Sequence, residues 1–312
     1  MLNFFHSIFK GFEQTGGYPN DLLEAAIERA VDGTDPSLRA VSGYRRKLRP
    51  AVLAAIDHVV TLVDGFTPPR LATRDSYSHD PLLQAIFLSS EQMIQVLHSQ
   101  LSAQPTVSGE VCALLVMDMQ QRGIFGADLQ GSTVVRDVPQ VTVSFANHRL
   151  LDPSSDEKET RHLLKRRAFD HLLKMALRRM AATREIREDL DQRLTLLQAK
   201  HDALHRGNWG FNAGRQHQPD EIVELDSQLA EIESQLQAIG TDDQSIDIAM
   251  KLLVDVLGRP QQYLWMSRQS LVVDHMGIKR GKSSEDAPEL LLEQVQDAEG
   301  RSVVVTLVRS TG

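Results

Sequence analysis

A seam of aliphatic residues late in the chain sharply limits the folds open to it. Ile222, Leu225, Leu229, Ile232, Leu236 and Ile239 recur at alternating steps of three and four, the spacing that stacks side chains on one helix face. Pro219 suits a first helical turn and Gly240 a stop. Upstream, Ile186, Leu190, Leu194, Leu197 and Leu204 repeat the pattern, interrupted by His201. Between the runs lies Arg206-Gly207-Asn208-Trp209-Gly210-Phe211-Asn212-Ala213-Gly214-Arg215, too rich in glycine for helix. Residues 156–239 therefore read as a long, coiled-coil-like helical hairpin. Folding back antiparallel sets Leu204 beside Ile222, Leu197 beside Leu229 and Leu190 beside Leu236.

Charge supports this pairing. Residues 156–187 hold ten Lys or Arg against five acids, and residues 220–255 hold ten acids against Lys251 alone. Burying six aliphatic side chains yields about 9–18 kcal/mol gross, less than the cost of ordering two helical arms at ~1–2 kcal/mol per residue. The hairpin is thus expected to lean on the body of the protein or on a second copy of itself.

The chain of 312 residues is long enough for two domains, and its net charge of −8 argues against a dedicated nucleic-acid coat. One cysteine, Cys112, leaves no internal disulfide and fits a reducing compartment. No apolar run approaches the ~18–20 residues of a membrane span. The start shows no secretory signal pattern. A cytoplasmic location is expected.

The first 105 residues read as mostly helical. Phe4, Phe5, Phe9 and Phe12 form a stripe over residues 1–12, either docked on a core or acting as an anchor for a partner or a membrane surface. A capped helix follows Asn20. The basic cluster Arg45, Arg46, Lys47 and Arg49 runs into a helix over 50–64. Residues 70–79 read as loop. Asp80-Pro81 opens a helix to residue 101. After residue 105 the period changes. Segments 111–119, 133–135 and 141–145 read as strands, with a turn at 137–140. Beyond the hairpin come a helix over 242–257, short strands at 263–266 and 271–273, and a strand pair, 290–295 and 303–308, around Asp297-Ala298-Glu299-Gly300. The expected fold is α+β: a helical N-terminal region (1–105), then a sheet region (106–312) whose antiparallel sheet takes strands from both sides of the inserted hairpin.

Complete catalytic motifs are missing. Gly277 to Ser283 approaches the phosphate-loop pattern but has Met276 where its first glycine belongs. His201 and His205 stand four apart, with His217 across the tip, yet no cysteine or zinc-protease glutamate accompanies them. Cys112 sits in an apolar run, as a buried small hydrophobe does. No cofactor or metal is expected. The tip, with Arg206, Trp209, Phe211 and Arg215, presents the residue types that dominate binding energies. The leading expectation is a non-catalytic interaction or scaffold protein that binds a protein partner or self-associates through the hairpin. One alternative is a nucleic-acid-associated factor using Arg45, Arg46, Lys47, Arg49 and the Lys165-Arg166-Arg167 cluster. Another is an enzyme whose residues are dispersed in sequence.

Overall fold

A computed structural model describes residues 19–102, 109–130, 133–206, 219–240, 244–284 and 286–311. The expectation for residues 1–12 lies outside that set. In chain order the described elements are α1 (Asn20–Asp32), a 3-10 turn (Pro36–Ala40), α2 (Tyr44–Asp64), β1 (Arg70–Leu71), α3 (Arg74–Tyr77), α4 (Pro81–Ile86) and α5 (Ser90–Ser102). Then come β2 (Glu110–Gln130), β3 (Thr133–Ser154), α6 (Glu157–Arg206), α7 (Pro219–Ile239), α8 (Ser245–Gly258), a 3-10 turn (Pro260–Gln262), β4 (Leu264–Val272), β5 (Glu289–Asp297) and β6 (Ser302–Thr311). The fold is α+β, with N-terminal helices and a long helix inserted between the strands.

The chain forms two compact units. The first contains Ala54–Asp170 and the residues from Arg259 on. Its sheet has the order β3-β2-β6-β5-β4, antiparallel throughout, with β1 added parallel to β6. Strands on both sides of the inserted hairpin thus share one sheet. Val111 to Met117 are all buried, because both faces of this stretch are covered. Ala113, Leu115 and Met117 join a core with Leu83, Phe87, Met93 and Leu97 from α4, α5 and their junction. On the alternate face, the Thr160 hydroxyl donates to the Cys112 carbonyl at 2.9 Å. Residues 70–102, expected with a helical N-terminal region, therefore pack as part of the sheet's own core.

The sheet manages its edges with polar atoms. Gln100 donates to the His148 carbonyl at 2.7 Å and accepts from Leu150 N–H at 2.6 Å, so one side-chain amide substitutes for a neighbouring strand on β3. Further along β3, Lys279 N–H donates to the Val141 carbonyl at 2.8 Å and Val143 N–H to the Gly277 carbonyl at 2.7 Å. Residue 279 also bridges Val273, just beyond β4. The Gly277 loop, which approached a phosphate-loop pattern in sequence, is thus a tight turn that fastens β4 to β3. Gly277 has φ of 75° there.

Several local expectations need correction. Segments 133–135 and 141–145 are one strand rather than two, and 137–140 is no turn. Its β2 ladder shifts register at three places. Asp137, Asn147 and Asp152 have φ of 58°, 55° and 50°, and each supplies the extra residue at one shift. Asp and Asn tolerate that conformation better than other side chains. The helix expected over 80–101 breaks at Phe87. Asp80 caps its first part, accepting from Leu82 N–H and Leu83 N–H. Ser89 restarts it, accepting from Gln92 N–H at 3.2 Å while Leu88 N–H donates to Gln92 at 2.7 Å. Residues 70–79 hold a short strand and a helical turn capped by Thr73. Helix α2 begins at Tyr44 and carries Pro50 inside it. Segments 263–266 and 271–273 fall in and beside a single strand, β4.

The second unit contains Glu24–Leu53 and His171–Gly258. Ile27, Val31, Leu38, Leu48, Val52, Leu172, Leu173, Leu253 and Leu257 are buried in it. A Cβ on Gly33 would come 2.9 Å from Leu173 Cδ1, so glycine lets α1 close onto α6. Arg179 pairs with Asp255 at 2.8 Å and Arg184 with Asp35 at 3.3 Å. The Arg179–Asp255 pair realises part of the charge complementarity expected between 156–187 and 220–255, while Asp35 adds an acid from outside that segment.

Candidate interaction surface

Within the second unit, α6 and α7 run back along one another. His201 Nε2 lies 3.3 Å from Asp226 Oδ1, and Arg187 Nη1 donates to the Gly240 carbonyl at 2.7 Å. The expected register sets His201 opposite Leu225 and Arg187 opposite Ile239. Both contacts fall one residue from it.

Among the described seam side chains, two are buried, Ile186 at one end is exposed, and the others are half-open. Leu190 and Leu225 are buried, whereas Leu194, Leu197, Leu204, Leu229, Ile232, Leu236 and Ile239 are half-buried. Two helices alone can cover an aliphatic seam only on the side each turns to the other. Outward from the seam, Leu196 and Val223 are 71% and 66% exposed. The flanks of α7 are acidic. Glu224 and Glu231, each accepting from the Gln four residues on, stand a heptad apart on one flank. Asp226 and Glu233 repeat on the other. Sequence reasoning read the seam and missed these flanks, although the seven-residue spacing was available to show them.

The residues singled out at the tip, Trp209, Phe211 and Arg215, lie outside the described residues, as does His217. Arg206 ends α6. The structure brings Arg45 and Arg49 to α1: Arg45 Nη2 lies 2.8 Å from Glu28 Oε1, and Arg49 Nη1 lies 3.5 Å from Glu24 Oε1. Hydrogen bonds from Tyr44, and then from Arg39 and Arg45, hold the Glu28 carboxyl below its ordinary value against the opposing effect of burial. Arg46 is exposed. Lys47 lines an open cleft of about 700 Å³ with Asp247, Lys251 and Asp255.

The cluster at 165–167 is divided among three acids. Lys165 is buried and holds Asp64 at 2.8 Å. Arg166 lies 4.0 Å from Asp170. Arg167 grips Asp152 with two bonds, at 2.7 and 2.8 Å. Nearby Arg161 donates to the Val63 and Phe66 carbonyls at the end of α2, where a helix leaves acceptors unfilled. The cations of this stretch do structural work in the first unit.

Cys112 is buried, and that burial pushes its thiol above the ordinary value despite the Thr160 hydroxyl. A thiol so placed is a poor nucleophile at neutral pH. Among the described residues, no three His, Cys, Asp or Glu side chains gather closely enough to hold a metal ion. No described helix is long and apolar enough to cross a membrane. Comparison with protein-family profiles, curated proteins and solved structures finds no match.

Proposed function

We propose that this chain is a non-catalytic interaction protein whose contact element is the α6–α7 hairpin. The half-open seam carries the proposal: seven aliphatic residues of the paired arms, Ile239 among them, remain half-buried where two helices meet, and Leu196 and Val223 stand exposed beside them. An antiparallel coiled coil of this kind offers a face that a further helix can complete. The tip residues Arg206, Trp209, Phe211 and Arg215 are assigned to the same contact, on their chemistry. A reducing cytoplasm is the proposed setting, consistent with the single buried thiol of Cys112. Replacing Trp209 and Phe211 together by Ala tests the reading. Folding is expected to survive while retention of a partner, or of a second copy, is lost. Unchanged retention would count against it.

A further inference from the structure

We infer that the hairpin face bearing Asp226 receives a basic amphipathic helix from another protein, rather than a second copy of this chain. The inference rests on the hairpin being a contact element and adds the chemistry of its partner. Asp226 and Asp202 both approach the His201 ring, at 3.3 and 3.9 Å, so they share one flank of the hairpin. Glu233 stands two turns beyond Asp226 on that flank. Leu229 and Leu236 follow Asp226 and Glu233 by three positions each, and Leu194 precedes His201 by seven; all three leucines are half-buried. The face therefore has an aliphatic floor and an acidic wall. Over 188–206 and 219–240 the arms carry ten acids against Arg193, Lys200 and Arg206. A second hairpin would set acids against acids, which costs affinity, whereas lysines or arginines beside a leucine stripe would meet both the wall and the floor.

The test uses the full chain and a fluorescent synthetic helix built from leucine–lysine heptads, followed by anisotropy. A glutamate counterpart is the control. Saturable one-to-one binding of the lysine helix alone is expected. It should weaken on the order of tenfold, the scale of three exposed ion pairs, when Asp202→Asn, Asp226→Asn and Glu233→Gln are combined. Neutralising Glu224 and Glu231 on the other flank should change it far less. Circular dichroism should show both variants folded. Equal loss from either flank, equal binding of the glutamate helix, or no binding would overturn the inference. Self-association of the chain, lost when Leu229 and Leu236 become Ser, would also overturn it while leaving the hairpin as the contact element.

Discussion

Truncating Leu225 to Ala probes how the hairpin is held. Leu225 is 3% exposed and, with Leu190, closes a seam in which Leu194, Leu197, Leu204, Leu229, Ile232, Leu236 and Ile239 are half-buried. Removing a fully buried leucine side chain beyond Cβ costs about 2–5 kcal/mol, the low end applying where surroundings collapse into the gap. A two-helix seam collapses readily, so about 2–3 kcal/mol is expected. If the hairpin opens as a local unit, that loss falls on hairpin amides as a rise in native-state hydrogen exchange of on the order of 30- to 150-fold. Amides of β2, β5 and β6, whose core has no member from the hairpin arms, should not change. Leu229→Ala, at a half-buried position, should cost about half as much. Uniform acceleration across sheet and hairpin would refute the idea of a locally held hairpin. No acceleration in the hairpin would refute the seam.

Other perturbations have opposite or selective outcomes. Asp64→Asn should destabilise by about 3 kcal/mol in denaturant titrations, because it leaves the buried Lys165 ammonium unpaired, whereas Lys165→Met should be close to neutral. Asn147→Val should lower stability by about 1–2 kcal/mol, since a β-branched residue resists positive φ, while Asn147→Gly should cost less. Burial depresses the His148 pKa, opposed by its contact with the Ile86 carbonyl. His148 therefore contributes stability in full above its ordinary value of 6.5 and loses it as pH falls through the lower folded value. A His148→Phe variant, still able to stack on Phe87, should lack that part of the acid loss in melts across this range.

Patterns repeated over many residues were legible in the sequence. The seam of 222–239 read as helix because six positions agree, and the turn at Asp297 to Gly300 was marked by its residues. Gly300 N–H donates to the Asp297 carbonyl at 3.1 Å there, with φ of 78° at Gly300. Less legible were features decided by a single side chain. The bulge at Asp137, followed by Pro139, looks in sequence like a turn signal, which is why β3 read as two strands, and the bulges at Asn147 and Asp152 were not read at all. The break at Phe87 depends on Ser89 and Gln92 capping a new helix, while the apolar spacing runs on undisturbed. At the candidate surface, leucine periodicity exposed the seam. Which cations are spent on structure could not be read locally, since Lys165 and Asp64 meet from positions 101 residues apart in the chain.

The hairpin is proposed as the place where this protein meets others. Site-specific photocrosslinking in native host cells tests it most directly, with the probe placed in turn at Leu196 and Val223, 71% and 66% exposed on the hairpin arms. Controls go at Phe125 and Met276, 78% and 69% exposed in the first unit. Discrete adducts from the two hairpin positions and none from the controls are the predicted result. Silence from the hairpin positions, or the same adducts from all four, would contradict the account.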